Sequence, residues 1–288
     1  MNDIFNLRRF GKYFVSDARS CANSYGLGML LISLMGLITY AGTVIMGLIF
    51  NGEWGAPELD FRVTTFFVCM IVLILTMPVK CYGRITQKDF GSHWLMIPAS
   101  SFEKSLSMVI MTSIMMPLIV CTVYFGVDAL LCSLDKTCGT SIFASVRGVI
   151  DTFMSISVAS SSDITQFPKL AEFVKQVSNP WLYADDLIGM FLITLTGAIL
   201  FKTGKTAKTC LAYIAITFVI GIVITPFAGA FFKEFADISL RADAPEAIDQ
   251  IFGAGIFRHA ALIDTINDTI VNLCLIAGIY FRVKTLKH

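Results

Sequence analysis

Residues 25–50 read YGLGMLLISLMGLITYAGTVIMGLIF, a run without a single Asp, Glu, Lys or Arg. An α-helix rises about 1.5 Å per residue, and roughly 20 apolar residues carry it across the hydrocarbon of a bilayer. This stretch is long enough to span with some tilt, and it decides the fold class.

The same test, applied outward from this run, finds five more spans. Residues 63–79 are uncharged between Arg62 and Lys80, and residues 105–127 between Lys104 and Asp128, with Pro117 near their middle. Residues 209–232 are uncharged between Lys208 and Lys233. Residues 187–201 are a shorter run that Trp181 and Tyr183 extend toward an aromatic-anchored start. The last, about 260–281, carries Asp264 and Asp268 and ends in Tyr280, Phe281 and Arg282. The expectation is an all-α integral membrane protein with one transmembrane domain over 1–288. Its six spans fall at about 25–50, 62–79, 105–128, 183–201, 209–232 and 260–281, or five spans if the last helix enters only partly. Composition agrees: 56% of residues are apolar and 15% charged, with a mean hydropathy of +0.73. Soluble domains carry about 25% charged residues. A net charge of +1 offers no basic surface, so nucleic acid is not an expected partner. The first apolar run is too long for a signal sequence and no small-residue cleavage pattern follows it, so it is expected to stay as an anchor.

Lys and Arg in short loops set orientation. They gather in the N-terminal segment (Arg8, Arg9, Lys12, Arg19), in loop 80–104 (Lys80, Arg84, Lys88, Lys104), in loop 202–208 and in the tail. The alternate loops are longer and poorer in them, and Glu53, Glu58 and Asp60 stand before Arg62. Both termini are therefore expected in the cytoplasm. Cys69, Cys121 and Cys274 fall in spans, while Cys132 and Cys138 fall together on the outer side in CSLDKTC. In an oxidising compartment those two are candidates for a local disulfide, with two free thiols as the alternative.

Outside the bilayer, Ile4, Leu7, Phe10, Phe14 and Ala18 recur at helical spacing beside the basic residues of 1–24, which reads as an amphipathic interfacial elbow helix, with a positive-inside flank of incidental periodicity as the alternative. Loop 80–104 is KCYGRITQKDFGSHWLMIPASSFEK. Ser100 and Glu103 have the spacing of a capping box, so a helix begins there. Phe90, Trp94, Leu95, Met96 and Ile97 are unusual in a solvated connector and point to the interface or to a docked partner, docking being favoured. In the outer loop 133–182, Ile142, Phe143, Val146, Ile150, Phe153 and Met154, and then Leu170, Phe173, Val174 and Val177, suggest two amphipathic helices. A seventh span through 142–158 is disfavoured by Arg147 and Asp151.

Catalytic and metal signatures are not found. His93, His259 and His288 are far apart, and there is no HExxH, paired CxxC or GxSxG. TGKT at 203–206 lacks the earlier glycine of a phosphate loop, since Ile199 stands there. No catalytic residue, no metal site and no cofactor is expected in this chain. Asp264, Asn267, Asp268 and Asn272 share one face of the last helix by spacing. Intramembrane carboxylates face cavities or partners, so these four are candidates to line a path; a helix end in the headgroup region is the alternative.

The order of these parts resembles the six-span permease subunits of type-two ATP-binding-cassette (ABC) exporters, and more closely a Bacteroidetes group of such proteins. FNLRRFGKYFVSDAR is similar to their opening segment, WLMIPASSFEKSLS to their loop pattern, GAILFKTGKTAKTCL to their junction of spans four and five, and YFRVKTLKH to their tail. Ile97 stands where that pattern has Leu. The resemblance implies a non-hydrolytic permease in the bacterial inner membrane. A separate cytoplasmic ABC ATPase would bind ATP and dock on the loop at Pro98, Ser100, Phe102, Glu103 and Lys104 and on the elbow. A second permease chain, identical or not, would complete the path. Two other readings stand beside it: a stand-alone secondary transporter or channel using Asp264 and Asp268, and a membrane immunity or scaffolding protein that transports nothing.

Overall fold

The structure, a computed structural model, describes residues 5–50, 52, 54–87, 91, 94–145, 180–241 and 260–286; at 180–182, 223–224, 226–241, 260–261 and 263–264 it describes the backbone alone. Every regular element among them is helical. The elements are α1 (Leu7–Ser33), α2 (Met35–Phe50), α3 (Leu59–Tyr82) with a 3₁₀ turn (Gly83–Thr86), α4 (Ser101–Ile110), a π-helical turn (Met111–Met115) and α5 (Met116–Leu134). A 3₁₀ turn (Lys136–Cys138), α6 (Pro180–Leu200), α7 (Lys205–Arg241) and α8 (Ala260–Thr285) follow. Six helical stretches are long and apolar enough to cross a membrane: Leu7–Phe50, Leu59–Thr86, Ser101–Leu134, Tyr183–Leu200, Lys205–Ile222 and Thr265–Thr285. The chain is a multi-pass helical membrane protein.

Span boundaries differ from the sequence reading at several ends, two of which bear on the site. The elbow and the first span are expected to meet near residue 24, yet α1 runs through that point. The irregularity comes at Leu34, and even there Leu34 N–H donates to Leu30 at 2.9 Å and Ile38 N–H to Leu34 at 3.1 Å. Together α1 and α2 are 44 residues long. At about 1.5 Å per residue they reach about 66 Å, twice the hydrocarbon thickness of about 30 Å, so much of α1 lies outside that layer. The third span is also longer than 105–128, because helix starts at Ser101 and ends at Leu134. Of the predicted amphipathic helices at 142–154 and 170–177, only residues 142–145 are described, as a helical turn; the rest, with most of the disfavoured span 142–158, lies outside the described residues.

The chain divides into two compact units: Met1–Arg147 with Ile188–Thr209 and Asn272–His288, and Gly148–Leu187 with Cys210–Val271. In the first unit, α1 packs on α3, α4 and α5, and α2 on α3 and α5. Leu73, Met77, Met108, Val120 and Tyr124 are buried between them. Pro117 has no N–H to give the carbonyl of Ser113 and its ring crowds that turn, and the helix widens into the π turn just before it. In the second unit, the α7 residues Leu211, Ile214, Phe218 and Ile222 are exposed, the surface expected where lipid is the solvent.

The far end of the first unit carries a buried ion pair. Arg62 and Asp128 stand in the sequence as flanking charges of two spans, Asp128 expected at the interface; the structure buries both. Arg62 Nη1 donates to Asp128 Oδ1 at 2.8 Å and to Cys132 Sγ at 2.9 Å, and Nη2 to the carbonyls of Cys138 and Thr140, both at 2.8 Å. Asp128 Oδ2 accepts from Ile142 N–H at 2.7 Å. A buried charge is tolerated when paired and hydrogen-bonded, and this pair ties α3, α5 and the chain after α5 into one joint. Cys132 and Cys138 are free thiols with their sulfurs 2.9 Å apart. Burial, then the hydrogen bond with Cys132, pushes the Cys138 thiol up to about 12.

Candidate functional site

The Ser100–Glu103 capping box forms as its spacing predicts. Ser100 Oγ accepts from Glu103 N–H at 3.2 Å, and Glu103 Oε2 from Ser100 N–H at 3.0 Å. Those bonds satisfy donors that the first turn of α4 leaves open. The same carboxylate reaches further. It accepts from Asn6 N–H at 3.0 Å and from Arg9 Nε at 2.8 Å and Nη2 at 2.9 Å, so the start of α1 is fastened to the start of α4. Asn6 in turn caps α1, its Oδ1 accepting from Arg8 and Arg9 N–H at 3.1 and 3.4 Å.

Further joints of this end repeat the design. Asp17 is buried and its Oδ2 accepts from Tyr82 at 2.9 Å and Ser107 at 2.5 Å, joining α1, α3 and α4. Trp94 is buried, donates to Tyr13 Oη at 3.2 Å, and carries the Lys104 ammonium 4.7 Å from its ring centroid. Lys104 Nζ also donates to the Trp94 and Leu95 carbonyls at 3.1 and 3.3 Å. Lys205, from the TGKT turn, donates to the Gly83 carbonyl, to Thr86 Oγ1 and to the Ala198 carbonyl. That turn is therefore a strut between two loops. Gly204 holds φ +60 within it, a left-handed conformation that glycine adopts without penalty.

Around Phe102 the described surface is apolar, while Lys80, Arg84 and Gln87 are exposed elsewhere on the loop. Phe102 is 48% exposed and Met96 80%, with Pro98 exposed beside them. Phe102 lies 6.1 Å from the Phe5 ring and 6.3 Å from Tyr280, so the first helix, the loop and the last helix meet at its edge. The five loop residues named from the sequence thus separate. Pro98 and Phe102 are presented, Ser100 is half-buried, and Glu103 and Lys104 face inward at 0% and 4% exposure. The last two brace the platform and can touch no partner. Trp94, read as a docking aromatic, also serves inside; Phe90 lies outside the described residues.

The path-lining candidates on α8 meet different surroundings. In the first unit, Asn272 is buried with its amide against Gly189, where a β-carbon would stand 2.9 Å from Oδ1. It seats one helix on another. In the second unit, Asn267 is exposed and its Nδ2 lies 3.4 Å from Asp268 Oδ1. Asp268 is half-buried and hydrogen-bonded to Asp186, with Asp185 close by and accepting from Thr269 Oγ1 at 3.3 Å. Asp264 lies on α8 with its side chain outside the described residues. Among the described residues, no group of three or more His, Cys, Asp or Glu is placed to hold a metal ion. The reach of Glu103 to Asn6 and Arg9, and the Asp17 joint, escape a sequence reading because local spacing says nothing of partners some 90 positions away.

Compared with known protein families, curated proteins and solved structures, the chain finds no match.

Proposed function

We propose that this chain is the permease subunit of an ATP-driven exporter, carrying no nucleotide chemistry itself and coupled to a separate cytoplasmic ATPase at loop 80–104. One observation carries the reading: the loop is a braced platform. Glu103 and Lys104 are spent on internal joints, Tyr82 holds the buried Asp17 of α1, and beside them Pro98, Met96 and Phe102 form an exposed apolar face. A connector that only links two spans has no need of a buried Glu, Lys and Trp. A platform that must pass a push from a partner into helices needs that stiffness, since packed elements move as rigid bodies. In this reading the platform faces the cytoplasm of a bacterial cell, its inner membrane holds the chain, and a second permease chain, identical or different, completes the path.

The test is purification of the tagged chain in mild detergent after crosslinking in its host, with mass spectrometry of co-purifying proteins. A nucleotide-binding ATPase recovered with the wild type and lost with Phe102→Ala supports the reading; recovery of the chain alone removes it. The carrier reading draws on one feature, the gathering of Asp268, Asp186 and Asp185 in one place.

A further inference from the structure

At the end of α2 and α3 remote from the platform, a cleft of about 730 Å³ opens between the second half of α2 and the chain leading into α3. That volume lies within the usual range of small-molecule sites. Gly42 and Gly47 hollow its α2 wall by presenting no side chain. Phe50, Trp54 and Phe61 line it and stay 75%, 58% and 49% exposed. Among the described residues of the lining Glu58 is the one ionisable group, and it is exposed and without a described ion pair. The nearest guanidinium, four residues on at Arg62, is spent on Asp128.

One wall is set in advance. Trp54 Nε1 donates to Asp135 Oδ2 at 3.1 Å, and Asp135 also accepts from Tyr40 at 2.5 Å and from Thr137 N–H and Oγ1 at 2.9 and 2.7 Å. These bonds, that of Tyr40 foremost, hold the Asp135 carboxyl well below the usual carboxylate range. The indole is thus fixed on the rim of the cleft while Glu58 is left unspent. Aromatic faces attract cations, and an unpaired carboxylate beside them adds charge selection.

We propose that this cleft binds an organic monocation with an apolar body, of the quaternary ammonium or phosphonium class. The rings take the apolar groups and Glu58 faces the charge. An anion of the same shape meets the carboxylate and is rejected. The proposal does not rest on coupling to an ATPase and is read on the chain alone.

The probe is tetraphenylphosphonium, against tetraphenylborate, which has the same shape and the opposite charge. Full-length chain in phosphatidylcholine nanodiscs is equilibrated with each, and empty discs correct for partition into lipid. The expected result is saturable binding of the phosphonium, at least about tenfold tighter than the borate. Glu58→Gln should lower phosphonium affinity about tenfold and erase the preference. Glu58 is the N-cap of α3 but its side chain makes no capping bond, so this change removes no fold contact, and an unchanged melting temperature verifies that. Phe61→Ala, as a second variant, should weaken the phosphonium by a similar factor. Equal binding of both ions, phosphonium affinity indifferent to Glu58→Gln, or no binding beyond empty discs each overturns the proposal. Occupation by a lipid chain or a second copy would give one of these results.

Discussion

Arg9 grips Glu103 with two nearly parallel bonds, Nε to Oε2 at 2.8 Å and Nη2 to Oε1 at 2.9 Å, across 94 positions of sequence. The carboxylate is fully buried and the arginine side chain is 30% exposed. Bidentate pairs of this kind fix direction as well as distance. The pair therefore sets where the first helix leaves the platform, and its removal has consequences on two levels.

Glu103→Ala deletes a capping box, an acceptor for Asn6 N–H and the partner of Arg9 at once. The cap alone is worth about 1 kcal/mol, and the charge-assisted bonds from a partly exposed Arg9 add about 1–2 kcal/mol. A fall in thermal stability in detergent, with faster protease cleavage before α1, is expected. Phe102→Ala should leave both nearly unchanged, because that ring is half-exposed.

At the far end, Arg62→Met should destabilise by about 3–5 kcal/mol, since it strands Asp128 in a buried site. The double change Arg62→Met with Asp128→Leu should recover only part of that. The Cys138 and Thr140 carbonyls and Ile142 N–H stay without their partners in the double variant. Melting of the two single variants and the double variant gives the coupling energy directly.

Burial and the hydrogen bond with Cys132 hold the Cys138 thiol well above the usual range, so at pH 8 its thiolate is scarce. Maleimide should leave it unlabelled in the native protein and label it readily after unfolding in SDS, as read by peptide mapping. The sign for stability follows. Below about pH 8 the thiol is protonated folded or unfolded and adds nothing; above about 8.5 the unfolded chain ionises first, so stability declines as pH rises.

Gly197→Ala should be among the most damaging helix substitutions available. A β-carbon there would lie 1.8 Å from Thr209 Oγ1 and 2.7 Å from Thr209 Cβ, so α6 and α7 touch where no side chain fits. Gly278→Ala, with nothing within 4 Å, should be neutral or stabilising by up to about 1 kcal/mol. Folded yield by size-exclusion chromatography separates the two.

These contrasts mark what a linear reading reaches. The spans were legible because lipid requires long uncharged helices, and the capping box because Ser100 and Glu103 are local partners. Arg62 and Asp128 were read as flanking charges, since each looks solvated until the other is seen to answer it across 66 positions. Glu103 and Lys104 enter as contact residues through the resemblance alone, and a loop pattern carries no sign of burial, which is a tertiary property. Gly197 carries no sequence mark distinguishing it from Gly278, although one sits in a helix crossing and the other in open space.

The carboxylates of the second unit supply the last test. If Asp268 and Asp186 serve a proton path, the chain alone should conduct protons, because the two carboxyl groups already stand together without a partner. Under the permease reading it should not, since opening waits on the ATPase. Proteoliposomes holding a pH-sensitive dye are expected to keep an imposed pH gradient as long as empty liposomes do, and Asp268→Asn should leave that unchanged. A leak in the wild type that Asp268→Asn abolishes would transfer the function to the carboxylates and leave the platform a structural joint.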